Sequence, residues 1–106
     1  MKKTSIVTYP AVFIADDADG YTVIFPDIAD AVTGGRDLGE SLVNATATLG
    51  RFLVDHQSNL PVASTMTQLT HRYPADFIQF VAVDLNNVAT QPVETDVNVA
   101  PLGLAK

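Results

Sequence analysis

From Ile6 to Ala15 the chain is rich in Val, Ile, Phe and Tyr, and after Asp16-Asp17-Ala18-Asp19-Gly20 the same kind of sequence returns at Tyr21 to Phe25. β-Branched and aromatic residues on both sides of an Asp/Gly turn predict an antiparallel hairpin. Pro10 carries no backbone donor, which predicts an edge position or a bulge for the first strand, and Pro26 ends the second. Ala31 to Arg36 predicts a short third strand broken at Gly34-Gly35, where positive φ is open and the chain can turn into a helix.

Asp37 is a helix N-cap by residue type, and Glu40 stands where a capping-box side chain reaches back to the cap amide. The apolar positions Leu38, Leu42, Ala45, Leu49, Phe52 and Leu53 then fall on one stripe at helical spacing, which predicts a helix lying on one face of the sheet. Gly39 and Gly50 each cost about 1 kcal/mol relative to Ala inside a helix, so packing has to supply much of its stability. The expected end lies near His56 to Asn59, ahead of Pro61.

Ser64 to Asp76 is polar, and Met66 to Thr70 alternates in the manner of a short strand or a loop. Phe77 to Leu85, FIQFVAVDL, is almost continuously apolar and predicts a strand buried on both faces or at the centre of a sheet. The fold class that follows is α+β, an antiparallel sheet of three to four strands with one helix packed on a face, in the order β-β-β-α-β. Residues 1–85 form the expected domain. Residues 86–106 form a tail with Pro92 and Pro101, whose Val93 to Leu102 is a candidate strand or oligomerisation segment.

A chain of 106 residues, 47% hydrophobic and 17% charged, has the size and composition of one globular domain. It contains no cysteine, so neither a disulfide framework nor a cysteine metal site is available. No apolar run reaches membrane-spanning length, and Met1-Lys2-Lys3-Thr4-Ser5 leads into a mixed strand without the apolar middle of a signal peptide. A cytoplasmic protein is the expectation. The net charge of -6, with Lys2, Lys3, Arg36, Arg51, Arg72 and Lys106 dispersed, disfavours strong binding to nucleic acid and suits a basic protein partner.

A series of short motifs stands in order along the chain: Tyr9-Pro10-Ala11, Gly20-Tyr21, Phe25-Pro26-Asp27, Thr33-Gly34, Leu38, Glu40-Ser41-Leu42, Asn44-Ala45, Leu60-Pro61, Ala63-Ser64 and Val83-Asp84-Leu85. The set resembles the N-terminal domain of HicB-type antitoxins over roughly residues 6 to 85. The resemblance implies a partial, degraded ribonuclease H-like fold without a working active site. It also implies a partner, a HicA-like toxin, which is a small basic protein with a double-stranded-RNA-binding-type fold that cleaves mRNA using a histidine. Many HicB proteins continue into a ribbon-helix-helix or helix-turn-helix module. Here 106 − 85 = 21 residues follow Leu85, too short for a strand and two helices, so autonomous operator binding is not expected, although Thr95 to Leu104 could be a remnant of the strand.

The candidate chemistry is mostly carboxylate. Asp16, Asp17, Asp19, Asp27 and Asp30 are the candidate partner-contacting residues, offering negative charge to a basic surface; the competing reading is turn chemistry in a solvated loop. A metal-dependent nuclease needs acids on central strands, but Ile6 to Ala15 has none and Asp84 closes its strand alone, so neither catalysis nor a metal or other cofactor is expected. His56 and His71 have no evident orienting group, and Ser41 or Ser58 no evident base. Tyr9, Tyr21 and Phe25 could stack on RNA bases but are read as core. The resulting expectation is an antitoxin that neutralises a toxin by binding it. The alternatives are a stand-alone RNA-binding protein of the same kind and a non-catalytic homo-oligomeric domain, a dimer or tetramer through exposed strands.

Overall fold

The hairpin predicted around Asp16 to Gly20 forms in the computed structural model, which describes residues 5–88. Strand β1 (Ile6–Ala15) pairs antiparallel with β2 (Tyr21–Ile24), which pairs antiparallel with β3 (Val32–Gly35). Helix α1 (Leu38–Leu53) follows and continues as a 3-10 turn, Val54–His56, so the regular helix stops slightly before its expected end. A second helix, α2 (Met66–Arg72), precedes β4 (Phe77–Asp84), which pairs antiparallel with β1. The sheet order is β3-β2-β1-β4.

Strand alternation divides the side chains between two faces. Tyr9, Ala11 and Phe13 of β1, Val23 of β2, and Val81 and Val83 of β4 join Ala45, Leu49 and Leu53 of α1 in the main core, with Phe25, Ile28, Ala31 and Leu85 at its margins. Leu49 and Ala45 are fully buried. Leu42 and Phe52 pack partly against this core, whereas Leu38, the first residue of the predicted stripe, is exposed. Ser41 and Thr48 are buried beside the apolar stripe, where α1 closes on the sheet. Gly35 permits that approach, since a Cβ there would meet the Ser41 amide at 2.6 Å.

Pro10 and Val12 point to the opposite face and are also buried, although they lie outside the main core cluster. Leu69, the buried residue of α2, is likewise outside it, and α2 packs against β4. Helix α2 therefore covers part of the second face. The expectation of a strand or loop at Met66 to Thr70 is corrected. Thr65 caps α2, accepting from the Gln68 amide at 3.1 Å while the Gln68 side chain accepts from the Thr65 amide at 2.8 Å. This reciprocal box satisfies two backbone donors and outweighs the apparent alternation.

Three strand expectations are corrected as well. The first strand lies inside the sheet, without an edge position, and tolerates Pro10 because of register. The Leu85 amide donates to the Ser5 carbonyl at 3.0 Å, and hydrogen-bonded pairs alternate with narrow ones, so Pro10 opposite Phe80 is a narrow pair and the missing donor faces away from β4. On its other side β2 pairs only from Val12 onward, so no ladder bond is lost. The apolar run of β4 is at the edge of the sheet, not its centre, and Phe77 and Phe80 are exposed. Gly34 and Gly35 lie within β3 and do not break it. Val93 to Leu102 and Thr95 to Leu104 lie outside the described residues.

Candidate partner-binding surface

The five candidate aspartates fall into two groups at opposite ends of β2. Four residues at about 3.4 Å each keep the groups more than roughly 10 Å apart, so they do not form one continuous patch. At the first end, the Asp16 carboxylate accepts from the Ala18 amide at 2.8 Å and the Gly20 amide at 3.0 Å. Asp19 sits at φ 68°, a left-handed conformation that Asp tolerates better than most residues. Asp16 and Asp19 thus shape the turn while remaining exposed, and Asp17 is exposed without such a role.

The strand register brings further charge to this end. Tyr21 pairs with Gly35, so β3 delivers Arg36, Asp37 and the start of α1 beside the hairpin turn. Asp37 accepts from the Glu40 amide at 2.8 Å as the expected N-cap, and it is exposed. Glu40 reaches one residue further back than a capping box requires. Its carboxylate accepts from the Arg36 amide at 2.7 Å and pairs with the Arg36 guanidinium at 3.3 Å. The amide contact is the main reason the Glu40 carboxyl lies below the usual carboxylate range, with the guanidinium contact second. Arg36 is largely neutralised within this pair, so the hairpin end stays acidic. Asp37 was read from sequence only as a cap; its membership of this surface depends on β3 returning beside Tyr21.

The second end is built differently. Asp27 is partly buried, and its two oxygens accept from the Ser64 amide at 2.8 Å and the Ser64 hydroxyl at 2.5 Å. The Tyr9 hydroxyl donates to the Pro61 carbonyl. Burial, and after it the Asp27 carboxylate, raise the pKa of Tyr9 above its ordinary value. These contacts fasten residues 61–64 to the sheet. Asp30, at φ 68°, is exposed in the turn that precedes β3.

The other candidates are dispersed. The Ser41 hydroxyl donates to the Asp37 carbonyl at 2.7 Å, His56 contacts the Phe52 carbonyl at 3.2 Å, and His71 lies on α2. Tyr9 and Phe25 are buried in the core, and Tyr21 packs partly against it. Among the described residues, no three His, Asp or Glu side chains are placed to hold a metal ion, and no helix is long and apolar enough to cross a membrane.

No family model matches the sequence, and no curated protein does. Solved structures do. A chain of a toxin–antitoxin complex from Streptococcus pneumoniae is 27% identical, with a TM-score of 0.67 over 91% of this chain and 82% of that one. The N-terminal domain of the Burkholderia pseudomallei antitoxin HicB is 20% identical, with a TM-score of 0.60 over 71% of this chain and 95% of that one. The longer structure of the same antitoxin is 21% identical, also with a TM-score of 0.60, over 87% and 73% of the two chains. With the strand order and the placement of α1, these likenesses establish that the chain has the HicB-like antitoxin fold.

Proposed function

We propose that this chain is an antitoxin that binds and neutralises a HicA-like, mRNA-cleaving toxin without itself carrying out catalysis. The observation that carries the reading is the likeness to a chain of a toxin–antitoxin complex along 91% of this sequence. Charge supports it. A protein of net charge -6 attracts a basic partner over distances of about 10 Å at 0.1 M salt, and complementary charge raises the encounter rate. We assign the main contact to Asp16, Asp17 and Asp19, extended by Asp37, with Asp30 as a second contact at the other end of β2. Asp27 contributes by holding residues 61–64 through Ser64.

The test is co-expression with a HicA-like toxin encoded beside this gene. Growth should be restored, and the two proteins should co-purify as a complex whose association slows with added salt. Asp17→Lys is the clean probe, because Asp17 supports no turn hydrogen bond and does not sit at positive φ. The substitution reverses the charge, so an attraction of roughly 1 kcal/mol for a unit-charge pair at contact in water becomes a repulsion of the same size, and association should slow by about 30-fold at low salt. Failure to bind or neutralise a confirmed mRNA-cleaving neighbour would refute the reading.

A further inference from the structure

After β4 the chain turns back over α1. Beyond the 3-10 turn Leu85–Asn87, Val88 lies against Gly50 of α1, where an added Cβ would stand 3.0 Å from a Val88 methyl and 3.1 Å from a Val83 methyl. At 3.6 residues per turn, Gly39, Val43, Thr46 and Gly50, spaced four, three and four, form one line along the helix. The line lies on the flank toward β4, because Val83 reaches Gly50 while Asn44, on another side of α1, donates to the Gly34 carbonyl of β3 at 2.8 Å. Its two ends differ. Gly50 is buried and crowded by Val88, whereas a Cβ at Gly39 would meet only the Asp37 carboxylate, at 3.7 Å. Apolar surface accompanies the open end: Val43 is 69% exposed, Leu38 is 40% exposed, and Phe77, which pairs with Phe13 on the α1 side of β4, is 43% exposed. The strip is thus closed where the described chain stops and open beyond.

We infer that this strip is the docking site of the chain's own residues 93–99, which lie along α1 in extended form and continue the path that Val88 begins. The sequence pattern suits the site. In an extended segment Val93, Val97 and Val99 share one side, and Glu94, Asp96 and Asn98 share the other. The three valines then bury against Val43, Leu38 and Phe77 while both carboxylates and the amide stay in water. Reach is ample. The line from Gly50 to Gly39 is about 16 Å long at 1.5 Å per residue, and the 18 residues after Val88 span up to about 60 Å. Tethering favours this occupant over a second copy, because a segment on a short flexible linker meets its site at an effective concentration of millimolar order. A basic partner chosen by charge gains little, since Gly39, Val43, Thr46 and Gly50 offer no carboxylate. The docking is independent of toxin binding.

The test uses the full chain without any toxin. The chain has no cysteine, so a nitroxide attached to Asn98→Cys, on the side turned to water, marks the tail alone. The amide resonances of Leu38, Leu42, Val43 and Phe77 should broaden far more than those of Leu69 and Thr70 in α2, on the opposite face of the sheet. Two sets of substitutions should each restore the α1 and Phe77 signals with unchanged far-ultraviolet circular dichroism: Val43→Asp, at an exposed helix position, and Val97→Asp with Val99→Asp in the tail. In a mixture of isotope-labelled chains without nitroxide and unlabelled chains carrying it, the signals should stay intact, because the segment docks on its own chain. Broadening that is absent or equal in the two helices, broadening that survives both sets of substitutions, or signal loss in the mixture, which would assign the strip to the tail of another copy, would overturn the inference.

Discussion

The two faces of the sheet are built to different standards. On the α1 side, Tyr9, Ala11, Phe13, Val23, Val81 and Val83 meet a helix of sixteen residues, and the interior is continuous from β2 to β4. On the α2 side a helix of seven residues packs against β4 and buries Leu69; Pro10 and Val12 are also buried, and Ile6, Val32 and Phe80 stay exposed. Apolar burial contributes about 25 cal/mol for each Å² removed from water, so the first face supplies most of the fold's stability. The second face and the β4 edge beside it retain apolar surface that an association can still bury.

Truncation at the centre of each face should separate them most clearly. Leu49→Ala leaves a cavity between α1 and three strands, where neighbours are fixed by the sheet, and should cost about 3–5 kcal/mol in urea unfolding. Leu69→Ala removes a side chain that is also fully buried, but beneath a short helix able to settle inward, so its cost should lie nearer 2 kcal/mol. Equal losses would mean that α2 is held as firmly as α1. Gly35→Ala ranks next. Its Cβ would press on the Ser41 amide, whose helix turn cannot yield as a flexible side chain would, and overpacking should cost about 1–3 kcal/mol in thermal or urea unfolding.

The first face was far more legible in the sequence than the second. Alternation in Ile6 to Phe25, the Asp37 cap and the helical spacing of Leu42, Ala45, Leu49 and Leu53 are local signals, and they agree with the tertiary packing. Helix α2 was missed because Met66 to Thr70 alternates; the informative signal was Thr65-x-x-Gln68, a box using Gln in place of the more familiar Glu. The edge position of β4 was hidden for another reason. A continuous apolar run reads as doubly buried, yet here one side packs on α1 while Phe77 and Phe80 remain open. For the candidate surface, sequence supplied the carboxylates and not their grouping. The separation of Asp16, Asp17 and Asp19 from Asp27 and Asp30 follows from their lying at opposite ends of β2, and the addition of Asp37 follows from the β2–β3 register.

The connection between the two faces offers a smaller and more selective test. Residues 61–64 carry the chain from α1 toward α2, held by Tyr9 to Pro61 and by Ser64 to Asp27. Ser64→Ala removes the hydroxyl bond and leaves the partly buried Asp27 carboxylate with only the backbone amide. A hydrogen bond to a charged group contributes about 1.5–3 kcal/mol, and partial exposure reduces this, so a loss of about 1 kcal/mol is expected. Amide exchange should rise more in α2 than in α1. Uniform acceleration across both helices would show that the connection does not hold the second face separately.

The smallest expected effect distinguishes the two helices by how each begins. Helix α1 starts with ionisable groups, Asp37 at its cap and Glu40 reaching back to the Arg36 amide and guanidinium, whereas α2 starts with Thr65 and Gln68, which do not titrate in acid. The Glu40 carboxyl is held below its ordinary value of 4.5, chiefly by the Arg36 amide. A carboxyl whose folded pKa lies below its unfolded one contributes stability that is present above the unfolded value and lost as pH falls through the folded value. The Glu40 side chain is 38% exposed and that of its partner Arg36 91%, so solvent screens the pair, the contribution is small and it is best read locally, by the carboxyl carbon resonance in an acid titration. Its midpoint should lie below 4.5. Arg36→Ala should restore it only in part, because the backbone amide, the larger cause, survives the substitution. The first turn of α1 should lose amide protection over the same acid range while the first turn of α2 keeps its protection. An unshifted midpoint in the wild-type chain would dismiss the Arg36 contacts as an acid-sensitive element of α1.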